Sequence, residues 1–316
     1  ENEKLKTKTM SKIKKPFELK VQPLVKILIY GQPGIGKSTL ALSAPSPLLL
    51  DFDNGVHRIN SVHQTDTVPI EKWEDVLEVL EEDLSNYRTL VIDTAGKMLD
   101  FVSDYLIRQN PKYKRGDGQL TQQGYGARKM AFKSFFAKII MLQKNLVFVA
   151  HDKEEKDADS KFIRPDVGGS SGADLIKEID LVGYMEAIGK KRTISFDPCE
   201  KYYGKNTCQL PSLIELDELA PGKLNTFLSN VLQQYEKGLE ARQVIAGEYA
   251  DLMEVIRGKI DSVDSPDVAN EVIEWASSFD KHIWDSKLQA GYLLKAKTES
   301  LGLKLNKSKK YESAAA

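Results

Sequence analysis

Cysteine is nearly missing from this chain. Cys199 and Cys208 are the 2 that occur among 316 residues. They are too few for a disulfide framework and fit neither a zinc pattern nor a CxxC redox spacing. Such usage suits a reducing compartment, the cytoplasm. No apolar run reaches bilayer-spanning length and no signal-peptide pattern opens the chain, so no membrane partner is expected. An excess of charge of one sign is lacking too: 45 Lys+Arg stand against 46 Asp+Glu, a formal net charge of −1. Any nucleic-acid contact therefore has to come from local basic patches. No internal repeat is visible. What is present is 41% hydrophobic residues, enough to bury the core of one large domain, or of one large and one small.

The strongest local pattern is GQPGIGKS at residues 31–38. It matches the phosphate-binding loop G-x-x-x-x-G-K-[ST] at Gly31, Gly36, Lys37 and Ser38. Residues 25–30 (VKILIY) read as a buried strand before it, and residues 38–43 (STLALS) begin a helix after it. A loop between strand and helix aims successive N–H groups at an anion. Gly31, Gln32, Pro33, Gly34, Ile35, Gly36, Lys37, Ser38 and Thr39 are thus the expected nucleotide-binding residues. Lys37 would reach the β- and γ-phosphates of ATP, and the Ser38 hydroxyl would ligate Mg²⁺. Residues 89–93 (TLVID) read as another strand, ending in Asp93. An acid there, downstream of a phosphate loop, is placed to hold the metal through water.

The remaining segments organise around this pair. Residues 1–20 form a lysine-rich polar tail, and residues 21–237 an α/β core. PLLLDFD (47–53) reads as a strand ending in Asp51 and Asp53, and residues 73–84 as a helix. Residues 109–126 read as a long loop with Lys112, Tyr113, Lys114 and Arg115. Cations among aromatics suit a strand of nucleic acid, although an ordinary solvated loop explains them equally well. Residues 128–143 read as a helix with apolar positions Phe132, Phe135, Phe136, Ile139, Ile140 and Leu142. NLVFVA (145–150) reads as a strand ending at His151, and residues 153–172 as a second polar loop with Lys161 and Arg164. If the sheet is parallel, His151, Asp53 and Asp93 share its carboxyl edge, where ligands of open α/β sheets bind. Further strands are expected at 181–187 and 192–196. Residues 238–303 carry helical patterns at 241–257, 266–279 and 284–301, with Trp275 and Trp284 assigned to their core, and residues 304–316 read as a basic tail.

With GQPGIGKS, LLLDFDNG, LVIDT and FVAHD in this order, residues 21–236 resemble the phage and prophage RecA-core ATPases that anneal single-stranded DNA. The resemblance implies an α/β, RecA-like P-loop NTPase core with a mostly parallel central sheet flanked by helices, plus a small C-terminal helical domain. It implies ATP and Mg²⁺ as cofactors, weak DNA-stimulated hydrolysis to ADP and phosphate, and work in the cytoplasm of a bacterial host. It implies a homo-oligomer, filament or ring, with ATP at subunit interfaces and single-stranded DNA as partner; a single-strand DNA-binding protein is a further candidate partner. Asp53 takes the place of the acid that activates water. His151 takes the place of the γ-phosphate sensor, Lys112–Arg115 and Lys161/Arg164 fall in the two DNA loops, and Lys205 matches a lysine that reaches the neighbouring subunit's ATP. Thr207 departs from the second such lysine. Thr94 stands where many AAA+ ATPases carry a glutamate. Two alternatives are an AAA+-type helicase loader or remodelling ATPase, and a P-loop kinase.

Overall fold

The computed structural model describes residues 24–157, 160–189, 191–218, 222–278 and 281–313. The expected N-terminal tail, residues 1–20, lies outside them. Two compact units emerge, one within Pro23–Tyr235 and one within Glu236–Ala316.

The first unit contains, in chain order, β1 (Lys26–Gly31), α1 (Lys37–Ala41), β2 (Pro47–Asp51), β3 (Thr67–Pro69), α2 (Trp73–Val79), β4 (Thr89–Asp93) and α3 (Ala95–Gln109). Then follow α4 (Gln122–Met141), β5 (Asn145–Asp157), β6 (Ser160–Pro165), α5 (Gly169–Glu178), β7 (Leu181–Ile188), β8 (Lys191–Ser195), β9 (Lys205–Asn206) and β10 (Leu213–Leu216). One sheet runs β10-β8-β7-β1-β5-β4-β2-β3, with β6 beside β5 and β9 beside β7. Along the order β3-β2-β4-β5-β1-β7 every pairing is parallel, while β6 pairs antiparallel with β5 and β8, β9 and β10 add antiparallel pairings at one side. This is the mostly parallel α/β sheet expected from the motif order.

Alternation along the strands feeds two cores. Leu28, Tyr30, Leu50, Leu90, Ile92 and Phe148 face Trp73, Met98, Phe132, Phe135 and Phe136. Ile27, Ile29, Leu49, Val91 and Val147 face Leu40, Ala41, Leu228 and Leu232. A parallel sheet buried on both faces gives continuous apolar strands, which is why VKILIY and NLVFVA carry no polar alternation.

The register positions the site. Gly31 lies opposite His151, Val149 opposite Asp93, and Asp93 opposite Asp51. The ends of β1, β4 and β2 therefore meet on one edge, with β5, which runs on past His151, inserted between β1 and β4.

Several local expectations give way. α1 has 5 residues; Pro45 and Pro47 follow closely, and proline stops a helix by removing its N–H and restricting the residue before it. α3 had no reading in the sequence. The segment expected as a loop over 109–126 is largely structured. Asn110 caps a short 3₁₀ turn at Pro111–Tyr113, the Arg115 N–H donates to Gln119 O at 2.7 Å, and α4 has begun by Gln122. The second polar loop is instead the β5–β6 hairpin followed by α5. Ile140, expected inside, is 54% exposed.

The second unit holds most of α6 (Phe227–Asp261), then α7 (Pro266–Ser278), α8 (Ser286–Ser300), β11 (Leu303–Leu305) and β12 (Tyr311–Ser313). Ile256, Ile260, Val263, Ala269, Val272 and Leu294 form its core. The expected basic tail is corrected here. Residues 303–313 pair as an antiparallel hairpin, tied to α7 by Tyr311 N–H donating to Asn270 Oδ1 at 2.7 Å. Trp284, expected in the core, is 63% exposed. Trp275 does pack against the core.

Gly31 marks a point of close approach between two strands of the first unit. A Cβ there would stand 2.3 Å from the Met185 carbonyl oxygen on β7, at a φ of 155°. Gly31→Ala should destabilise the protein by about 1–3 kcal/mol through forced separation of β1 and β7. A thermal melt checks this. An unchanged midpoint would show that the two strands tolerate a wider gap.

Candidate nucleotide-binding site

The loop from Gly31 to Ser38 is built by glycines where side chains cannot go. Gly36, at φ 97°, turns the chain into α1, and a Cβ there would meet Arg192 Nη1 at 2.9 Å. A cavity of about 290 Å³ opens beside the loop. Its walls include Gly36, Lys37, Ser38, Asp53, Asp93 and His151, and also Arg58 and Thr94. The structure thus brings together the phosphate loop, both expected acids and the histidine.

Lys37 is buried, and its ammonium donates to Gly31 O at 2.8 Å and Gln32 O at 2.7 Å. Burial lowers its pKa, opposed by the charges of Asp152 and Asp93. The Ser38 hydroxyl donates to Asp93 Oδ2 at 2.5 Å. Burial raises Asp93, and the charges of Asp51 and Asp53 add to it; the Ser38 bond and Lys37 pull the other way. A buried cation and a buried carboxylate, each disfavoured in its charged form, are what a polyphosphate and a divalent ion would respectively relieve. The residues therefore fit Mg-nucleotide. Loop amides and Lys37 would hold phosphates, and Ser38 with Asp93 would hold the metal alongside phosphate oxygens and water. Because α1 is short, the grip rests on loop amides and Lys37 more than on a helix dipole.

Asp51 and Asp53 divide their duties. Asp51 is 2% exposed and ends β2. Its carboxylate accepts from the N–H groups of Asp53 at 3.1 Å, Gly55 at 3.0 Å and Val56 at 2.9 Å. It is a turn-former that aims the following residues. Asp53 reaches the cavity but is held by two cations, Lys97 on α3 and Arg58 at 3.3 Å. Burial alone would raise its pKa; Lys97 first, then Arg58 and His151, outweigh that and hold it below its usual value. A clamped carboxylate of lowered pKa is a weak base.

The profile of the AAA domain family AAA_24 matches residues 24–208. The chain belongs to this family. The AAA domain covers all the cavity-lining residues named above. A curated relative, the SPbeta prophage-derived uncharacterized protein YorG of Bacillus subtilis (strain 168), is 25% identical over 173 residues, 52% of this chain. The chain spans about half (51%) of that relative's length. A solved ATPase from the type III secretion system of pathogenic bacteria is similar at a TM-score of 0.34 and 12% identity, covering 51% of each chain. A similarity that low carries no argument. No helix among the described residues is long and apolar enough to cross a membrane.

Other expected site residues lie away from the AAA domain's cavity. Lys205, on β9, donates to Lys177 O at 3.1 Å and Ile176 O at 3.4 Å, closing the C-terminal end of α5. Lys112, Tyr113, Lys114 and Arg115 sit just beyond the far end of α3, a helix about 22 Å long at 1.5 Å per residue. Arg115 pairs with Asp117 at 3.6 Å. Lys161 and Arg164 stand on β6, paired with Glu154 at 2.8 Å and Glu155 at 2.9 Å. Sequence reasoning missed Arg58, five residues beyond Asp53, and Lys97 and Arg192, which only folding brings near Asp53 and Gly36; no motif marks any of them.

Asp51→Ala should cost about 3 kcal/mol, since a buried acceptor shared by several N–H groups is lost, while Asp51→Asn should cost roughly half that. Denaturant titration checks both. Equal, small losses would mean that the 51–56 turn holds itself.

Proposed function

We propose that this chain is an ATP-binding, RecA-like phage recombination protein that binds single-stranded DNA and promotes annealing, as an oligomer with ATP between subunits. The observation that carries this reading is the continuity of β5. The same strand lines the phosphate cavity at Val149 and His151 and continues into the hairpin that bears Lys161 and Arg164. The Asp166 N–H on the returning side donates to the His151 carbonyl at 2.7 Å. A change at the terminal phosphate would reach this hairpin within one hydrogen bond.

In this reading bound Mg-ATP would supply the phosphoryl group and its counter-charge. Lys37 would exchange its loop carbonyls for phosphate oxygens, and Ser38 with Asp93 would hold the metal in place of their mutual bond. Asp53 orients the attacking water and takes its proton once Lys97 and Arg58 release it. His151 reads the γ-phosphate, and Lys205 acts on a neighbouring subunit's nucleotide. Lys161 and Arg164 trade exposed ion pairs, worth little each, for DNA phosphates. The prophage-derived relative supports a phage setting in a bacterial cytoplasm. A second reading, a remodelling ATPase or helicase loader, draws support from the AAA domain; Thr94 in place of a glutamate after Asp93 weighs against it. The basic 112–115 turn could also act as a kinase lid, but it stands at the far end of α3.

Lys37→Ala should weaken ATP binding roughly 30-fold or more, the scale of about 2 kcal/mol for a buried charged contact. It should also abolish ATP-dependent annealing of complementary oligonucleotides. Annealing that survives unchanged in this variant would separate the DNA activity from the nucleotide. Replacing Lys112, Lys114 and Arg115 together by Ala should leave ATP binding intact and reduce the salt dependence of single-strand binding by about 2 in log–log slope. An unaltered slope removes that turn from the DNA path.

A further inference from the structure

Trp284 is anomalous in two ways. It is large and apolar yet 63% exposed. Its φ is +48°, the left-handed region, which a bulky side chain rarely adopts. Such conformations are strained and persist where the surroundings enforce them, often at functional sites. Here Ser286, fully buried at the start of α8, enforces it: its hydroxyl accepts the Ile283 N–H at 3.1 Å and bonds His282 Nδ1 at 2.9 Å. The turn presents the indole outward, backed by the Tyr249 ring at 5.1 Å between centroids.

The indole is not isolated. Leu288 and Tyr292 follow at helical spacing on α8, 56% and 60% exposed. With Trp284 they line one shallow depression of about 660 Å³. Gly291, between them, would meet nothing with a Cβ, so the floor is open. The rim is basic. Lys287 and Lys295 flank the rings, and Lys295 has only a loose pairing with Glu299 at 3.9 Å. The one acid, Asp285, is turned to the protein, accepting from Tyr249 Oη and Gln289 Nε2, both at 2.8 Å. Exposed aromatic rings invite π-stacking, and flanking ammonium groups invite phosphates.

We propose that Trp284, Leu288 and Tyr292, with Lys287 and Lys295, form a base-stacking platform for single-stranded nucleic acid in the C-terminal unit. It is separate from the cations on β6 and beyond α3. Rings without base-edge readout make it sequence-tolerant, as annealing of arbitrary complementary strands requires. The proposal rests on the single-strand reading above and adds a second contact to it.

The test uses the full chain and an oligothymidylate. Binding should quench tryptophan emission through Trp284, the most exposed of the three tryptophans, Trp73 being buried and Trp275 half-buried. Trp284→Ala with Tyr292→Ala should weaken binding about tenfold or more while leaving ATP binding unchanged. Trp284→Phe keeps a ring, so it should retain affinity within about threefold yet lose the quenching. Lys287→Ala with Lys295→Ala, both exposed and neutral to folding, should weaken binding and flatten its salt dependence. Wild-type binding with no quenching, or equal affinity in the double aromatic variant, overturns the platform and leaves the DNA reading standing. No oligothymidylate binding by the wild type at all ends both. Quenching by an aspartate- and phenylalanine-rich peptide but not by the oligonucleotide assigns the surface to protein docking and overturns the proposal.

Discussion

A hydroxyl and a buried carboxylate, Ser38 and Asp93, meet at 2.5 Å across the gap between two strands that are not neighbours. That contact requires β5 to sit between β1 and β4 in one register, because a slip would move Asp93 off the carboxyl edge and turn it to the other face. The apolar sheet, buried on both sides, supplies that register. The double-sided core thus does more than stabilise: it sets the spacing at which a phosphate loop and a metal-holding acid can share one ligand.

Around this contact each polar group has a hydrogen-bond or ion-pair partner within the protein. Lys37 is satisfied by carbonyls of its own loop, Asp93 by Ser38, and Asp53 by Lys97 and Arg58. Each group is occupied by a partner that a nucleotide could replace. The site is therefore preformed in position and committed in its hydrogen bonds, and binding exchanges partners without needing to build the pocket. The acid that closes β2 shows the same logic at the level of scaffold. Asp51 spends its carboxylate on three loop amides, so that the next acid along can face the cavity.

The sequence carried the centre of this arrangement well and its surroundings poorly. Glycine spacing before Lys37 and apolar runs ending in acids mark features that depend on local backbone geometry and burial, which are written locally. α3 went unread although its apolar positions, Met98, Leu99, Val102 and Leu106, recur at helical spacing. The 153–172 segment is polar because a projecting hairpin exposes both faces, so its strands lack the alternation that betrays a half-buried one. Trp284 was read as core because tryptophan usually is; only the buried Ser286 and the turn it closes reveal that the ring faces out. Lys97 and Arg192 owe their place to tertiary approach, which spacing does not encode.

The clamp on Asp53 has a consequence for how the molecule idles. If Asp53 is the base of the proposed reading, the ammonium of Lys97 and the guanidinium of Arg58 that claim its oxygens would have to leave before it could take a proton from water. Lys97 sits in the first turn of α3 and Arg58 on a 3₁₀ turn, both with exposed side chains, so rotation of those side chains alone would free Asp53. The far end of that same α3 leads directly to the basic 111–115 segment.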